Sequence, residues 1–318
     1  MLFIERRKRM LSYMLKRLAY MAVTLWVVIT ITFFLMHAIP GDPLSGLARE
    51  LPAHTKANYY AKYGLDKSLG EQYFIYINNL LHGDLGESLK YPGRDVKGEI
   101  LKYAPATARL GLQAVSIGFL LGSILGLAAA FKRNRWPDYL VTGAALLGVS
   151  VPSFVLAALL QYIFAVRNSW LPATGWGGFA FTILPSIALS TSVLAIFARV
   201  MRASALDVIG QDYIMTARAK GSGGLSFAFK HVARNAVLPS VTLLGPQIAG
   251  IITGSFVIEN IFAIPGIGSN FVTSVFNRDY TMIMGMTVFY AVVYMAALLL
   301  VDIAYAVIDP RIRLYEPK

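Results

Sequence analysis

The sequence predicts an all-α integral membrane protein with six transmembrane helices and both termini in the cytoplasm. Three observations lead there. Of 318 residues, 56% are hydrophobic and only 14% are charged, against about 25% charged in an average soluble domain. The apolar residues fall into six runs, each near the ~20 residues that cross a ~30 Å hydrocarbon layer. The basic residues collect on one side of those runs. The mean hydropathy of +0.58 agrees. The absence of cysteine removes a secreted disulfide scaffold. The apolar content removes intrinsic disorder.

In chain order, residues 1–17 form a basic cytoplasmic segment containing Arg6, Arg7, Lys8 and Arg9. Basic residues before an apolar run resemble a secretory signal peptide. The run of 22 residues is too long for one, however, and no small-x-small cleavage site follows. It is read as an uncleaved first span, 18–39, closed by Pro40-Gly41-Asp42-Pro43. Met10 is an alternative start to Met1. Residues 40–104 form an extracytoplasmic segment. Its aromatics Tyr59, Tyr60, Tyr63, Tyr73, Phe74 and Tyr76 suit one or two helices over 55–82. Such helices either lie along the membrane surface or pack as an external subdomain.

Residues 105–308 hold the remaining spans: Pro105–Phe131, Tyr139–Val166, Phe181–Val200, Val237–Glu259 and Met282–Ile308. A loop at 201–236 separates the fourth from the fifth, and 309–318 is a cytoplasmic tail. The segments 1–17, 131–138, 199–236 and 309–318 carry 18 Lys and Arg against 6 Asp and Glu, a difference of +12, which equals the whole net charge. Segment 40–104 carries 8 of each sign. The basic side is therefore the cytoplasm. The basic excess is a topology signal; no folded soluble face gathers it for nucleic acid.

Catalytic chemistry is not indicated. There is no G-x-x-x-x-G-K-[ST] phosphate loop, no G-x-G-x-x-G and no G-x-S-x-G elbow. His37, His54, His82 and His231 lack metal-ligand spacing. No catalytic, cofactor or metal residue is expected in this chain.

Charges within spans are functional candidates by default. Here they are Arg109, Glu259 and Asp302, all near interfaces where long side chains snorkel. A structural role for Asp302, beside a backbone or cytoplasmic partner, is expected over a transport role. Gly118, Gly122 and Gly126 repeat G-x-x-x-G in span two, and Gly250 and Gly254 do so in span five; such spacing lets another backbone approach closely. Packing within the chain and packing against a partner permease are both open to them. Pro152, Pro239 and Pro246 mark bends, with or without an aqueous path beside them.

Loop 201–236 is the most patterned part. Asp212-Tyr213-Ile214-Met215-Thr216-Ala217-Arg218-Ala219-Lys220-Gly221 reads as a short helix. Asp212 suits its N-cap, Ala217 and Ala219 favour helix, and Arg218 and Lys220 suit its C-terminal dipole. Gly221 suits the left-handed residue after it. A second segment spans 224–235 before Leu238-Pro239. A docking helix for a cytoplasmic partner and an amphipathic loop on the lipid surface both fit this pattern.

This loop resembles the cytoplasmic EAA loop of bacterial ABC importer permeases. Along nearly its full length the chain is similar to the permeases of oligopeptide and dipeptide importers. The matches include Met14-Leu15-Lys16-Arg17-Leu18, Pro40-Gly41-Asp42-Pro43, Tyr63-Gly64-Leu65-Asp66 and Gly83-Asp84-Leu85-Gly86-Glu87-Ser88. They continue through Val151-Pro152-Ser153-Phe154, Leu184-Pro185-Ser186 and His231-Val232-Ala233-Arg234-Asn235-Ala236. They close with Val257-Ile258-Glu259-Asn260-Ile261-Phe262, Ile264-Pro265-Gly266-Ile267-Gly268, Arg278-Asp279-Tyr280 and Asp309-Pro310-Arg311. One departure is plain: Met215, Thr216 and Ala217 stand where the motif has Glu-Ala-Ala.

The resemblance implies a type I ABC importer-like permease fold in the bacterial cytoplasmic (inner) membrane. It implies a second homologous permease subunit, two cytoplasmic ABC ATPase subunits that use ATP and magnesium, and an extracytoplasmic substrate-binding protein, with membrane lipid around the spans. Asp212, Tyr213, Ala217, Arg218, Ala219, Lys220 and Gly221 would couple to the ATPases. Oligopeptides or dipeptides are the expected substrates. Nickel chelates, glutathione and other small solutes are alternatives within the same class. A stand-alone secondary carrier should show inverted repeats and ion ligands, and neither is evident.

Overall fold

The computed structural model describes residues 2–40, 57, 58, 60, 61 and 64–308. Positions 41–43, Tyr59, Tyr63 and the tail 309–318 lie outside the described residues, as do the surroundings of Gly254. Among the described residues the chain is helical, with one isolated bridge between Glu87 and Asp95. In order the helices are α1 (Leu2–Ala38), α2 (Leu69–Leu81), α3 (Val96–Phe131), α4 (Trp136–Ser150) and α5 (Ser153–Arg167). Then follow α6 (Ala180–Ile209), α7 (Asp212–Ala219), α8 (Gly224–Ala236), α9 (Leu238–Gly254), α10 (Phe256–Ile261), α11 (Ile267–Phe276) and α12 (Tyr280–Ile308).

Four helices are long and apolar enough to cross a membrane: Met14–Ala38 of α1, then α3, α6, and Tyr280–Ala304 of α12. Two bent pairs bring the number to six. The pair α4 and α5 bends by 100°, and the pair α8 and Leu238–Ile252 by 57°. The first bend has a local cause. Val151 precedes Pro152 and is forced out of the helical region, to φ −83° and ψ 120°. The expected third span is thus two helices. Span two also begins earlier than the apolar pattern suggests. Asp95 accepts the Gly98 amide at 2.7 Å through its carboxylate, a cap that starts α3 well before Pro105.

The chain divides into two compact units. The first comprises 1–13, 106–265 and 294–318. Its core gathers Leu110, Ala114, Leu184, Ala188, Val193, Phe197, Ile258 and Phe262 from α3, α6 and α10 and its flank. A second cluster joins Leu127, Ala130, Met201, Ala205, Ile214, Phe227, Val232 and Ala236. Two segments of this unit are wound as π-helix, Gln161–Arg167 and Ala228–Ala233. At the first, the Gln161 amide donates to the carbonyls of Ala173 (2.8 Å) and Ile261 (3.1 Å), tying the segment after α5 to α10.

The second unit comprises 14–105 and 266–293. Its centre is a buried carboxylate. Asp279 is 1% exposed and caps α12. It accepts the Ser88 hydroxyl, the Leu89 amide (3.1 Å) and the Met282 amide (3.3 Å). Two motifs far apart in sequence, 83–88 and 278–280, thereby become one joint. Gly86 has φ +83° there, and a Cβ on it would fall 2.7 Å from Thr281 Cγ2. Helix α2 opens with a reciprocal cap between Ser68 and Glu71. The Ser68 hydrogen bonds hold the Glu71 carboxyl below the usual carboxylate range.

Candidate functional site

The candidate coupling helix α7 stands on one buried anchor. Ile214 is fully buried among Leu127, Met201, Ala205, Phe227 and Val232. Gln211 takes the extended N-cap conformation and Asp212 becomes the first helical residue, one place later than expected for a cap. Asp212 still lies in the first turn, where the helix dipole favours its charge. The C-terminus closes with two paired hydrogen bonds: Gly221 N–H to the Arg218 carbonyl (2.9 Å) and Ser222 N–H to the Ala217 carbonyl (3.1 Å). That pairing requires a left-handed residue, and Gly221 supplies it at φ +81°.

Two side-chain contacts fix α7 to α8. The Asn235 amide donates to the Tyr213 hydroxyl at 2.7 Å. The Arg218 guanidinium sits 5.3 Å from the Phe227 ring centroid. Ala217 is half-buried, while Asp212, Tyr213, Met215, Thr216, Ala219 and Lys220 face outward. The exposed surface thus combines apolar Tyr213 and Met215 with basic Arg218 and Lys220. Leu225 and Phe229 on α8 are exposed apolar side chains as well.

Gly118, Gly122 and Gly126 all face α6 of the same chain. A Cβ on Gly118 would lie 2.6 Å from Val193 Cγ1, and one on Gly122 would lie 2.6 Å from the Leu194 carbonyl oxygen. One on Gly126 would collide with the Ala198 carbonyl. The helices touch backbone to backbone along two turns. Gly250 differs: no heavy atom lies within 4 Å of where its Cβ would be.

The intramembrane charges divide. Arg109 is half-buried, its guanidinium 5.5 Å from the Trp176 ring. Asp302 is half-buried on α12. Glu259 corrects the sequence expectation of a snorkelling side chain: it is 0% exposed. The cause is the break at Ser255 between α9 and α10. Past it, Glu259 points into the unit, and its Oε1 accepts the Thr107 hydroxyl (2.6 Å) and the Ser255 hydroxyl (2.7 Å).

Sequence reasoning passed over an ionic contact. Asp138 on α4 is 2% exposed and forms a two-pronged bridge to Arg202 on α6, with Nε to Oδ1 at 2.5 Å and an Nη to Oδ2 at 2.7 Å. The Asn134 amide also donates to Asp138, at 3.0 Å. Both residues looked like ordinary loop charges on the basic side. An acid in a first helical turn, amid an excess of bases, was the available signal. Among the described residues, no group of three or more His, Asp or Glu is placed to hold a metal ion.

Residues 119–314 match the family described as binding-protein-dependent transport system inner membrane component. Residues 10–91 match its N-terminal companion, described as binding-protein-dependent transport system membrane component, N-terminal. The chain belongs to this family. Members are transport permeases that act within larger transport systems, and this one is a multi-pass integral membrane protein. The chain is 44% identical over 307 residues to the dipeptide transport system permease protein DppB of Bacillus subtilis, covering 96% of this chain and 99% of that one. It is 43% identical over 307 residues to the oligopeptide transport system permease protein OppB of Salmonella typhimurium, covering 96% and 100%. To DppB of Lactococcus lactis it is 41% identical over 305 residues, covering 96% and 100%.

Proposed function

We propose that this chain is the membrane-spanning permease subunit of an ATP-driven importer for dipeptides or oligopeptides. It forms half of the translocation path in a bacterial cytoplasmic membrane. An extracytoplasmic binding protein delivers the peptide, a second permease completes the path, and two cytoplasmic ATPases bind ATP and magnesium and supply the energy. The observation that carries this reading is the identity of 41–44% across 96% of the chain to dipeptide and oligopeptide permeases.

The geometry of α7 supports the coupling role. A helix of eight residues is held by one buried side chain and a closed C-terminus, and it presents Tyr213, Met215, Arg218 and Lys220 outward. Such a helix transmits a push without deforming. ATP and a loaded binding protein must each favour one state of the permease over the other, and a stiff docking helix lets the ATPases impose that preference. The near absence of charge in the middle of the spans suits substrates with varied side chains.

The test is gentle extraction of the tagged chain from its native host, with mass spectrometry of what co-purifies. The expected set is a second six-span permease, two phosphate-loop ATPases and a receptor retaining peptide. Repeated recovery of the chain alone, in several detergents, refutes the reading.

A further inference from the structure

The α2 helix meets α1 well below the end of α1. The Tyr73 and Thr30 hydroxyls are 2.7 Å apart. The Phe33 ring lies 5.3 Å from Tyr73 and 5.6 Å from Tyr76, and Phe34 stacks on Tyr73 at 5.7 Å. His37 Nε2 lies 3.1 Å from Gln72 Oε1. Thr30 precedes Ala38 by eight residues, which is about 12 Å along a helix axis. Counted outward from Lys16 and Arg17, the ~30 Å hydrocarbon layer takes about 20 residues of helix and ends near His37. The contact with α2 therefore starts inside that layer.

The two faces of α2 fit such a position. Toward α1, Gln72 and Tyr73 find polar partners, as groups removed from water must. Away from it, Phe74 is 75% exposed and Leu81 80%, and the seven-residue spacing puts both on one face. Glu71, Asn78 and His82 lie to one side of that strip, exposed and polar. On α1, Ile31, Phe34 and Leu35 are exposed apolar residues of a membrane span. The Phe34 ring stacks on Tyr73, and the Tyr73 ring stands 6.3 Å from Phe74. The exposed apolar surface thus runs without a gap from α1 onto α2.

We infer that α2 is immersed in the bilayer leaflet at the Ala38 end of α1, with Phe74 and Leu81 packed against lipid acyl chains. The occupant of this face is lipid, because the surface continues the bilayer-facing side of α1 at the same depth. Interfacial helices bury their apolar face in this way and keep their polar flank at the headgroups.

The chain contains no cysteine, so single-cysteine variants carry a unique spin label. Phe74→Cys and Leu81→Cys would be compared with Phe34→Cys as a bilayer reference and Glu71→Cys as a water reference. Each is made in the full chain and reconstituted in phosphatidylethanolamine–phosphatidylglycerol vesicles. Paramagnetic resonance then reads collisions with dissolved oxygen and with a water-soluble nickel chelate. At both 74 and 81, the oxygen-to-chelate ratio should exceed that at 71 several-fold and approach that at 34. A label at either site that meets the chelate as readily as the one at 71 overturns the inference. So does shielding from both reagents, which means that protein, not lipid, covers the face.

Discussion

Replacing Gly122 by Ala tests how closely α3 and α6 are joined. The added Cβ would sit 2.6 Å from the Leu194 carbonyl oxygen, 3.0 Å from Phe197 Cβ and 3.1 Å from the Ala198 amide nitrogen. Ordinary contact begins at 3.4 Å, so going from 2.6 to 3.4 Å requires a shift of 0.8 Å. The obstructing atoms are largely backbone, and no side-chain rotation relieves them. The helices must part, and Phe197, fully buried between them, loses its fit. Overpacking of this kind costs about 1–3 kcal/mol, and rigid obstruction places it in the upper half of that range. At about 2–4 °C per kcal/mol for a domain of ~200 residues, unfolding in detergent should start about 4–12 °C lower. Gly250→Ala is the control. It meets nothing within 4 Å and gains about 1 kcal/mol of helix propensity, so its unfolding temperature should hold or rise. An unchanged temperature for Gly122→Ala, or an equal loss for Gly250→Ala, refutes the reasoning.

Asp138→Asn removes the charge that Arg202 grips on both prongs; a double-mutant cycle with Arg202→Gln in denaturation should return a coupling of about 1–2 kcal/mol. Thr107→Val keeps the side-chain shape but withdraws a donor from the buried Glu259, at a cost of about 1.5–3 kcal/mol read as a lower unfolding temperature. Asp279→Ala leaves the Ser88 hydroxyl and the Leu89 and Met282 amides without their acceptor; hydrogen exchange across 83–95 should rise sharply, with a loss of about 3 kcal/mol or more. Gly221→Pro is incompatible with φ +81° and removes the N–H that closes α7. Peptide uptake by cells carrying it should vanish, while the protein keeps its expression level and unfolding temperature; normal uptake sinks the docking role of α7.

The apolar pattern sufficed for the four unbroken spans, since length and hydropathy alone decide what can cross a bilayer. It also sufficed for α7, where Gly221 and the alanines carry local conformational information. What it could not show was pairing across the chain. Glu259 lies 152 residues from Thr107, and Asp279 lies 191 from Ser88. Nothing in local sequence says which distant hydroxyl a carboxylate will meet. The break at Ser255 was equally silent, because serine within an apolar run neither forbids nor demands a helix, and tertiary packing decided it. Pro152 did announce a bend, but its 100° size depends on what α5 packs against.

The glycine stripe has a mechanical consequence. A joint made of interdigitated side chains has play, because rotamers yield before backbones move. Between Gly118 and Gly126 on α3 and Val193 to Arg202 on α6 there is almost nothing to yield. Helix α6 runs on to Ile209, three residues before α7 begins. Any force taken up at α7 therefore enters a two-beam girder rather than a single rod. Under such a force both members must turn together.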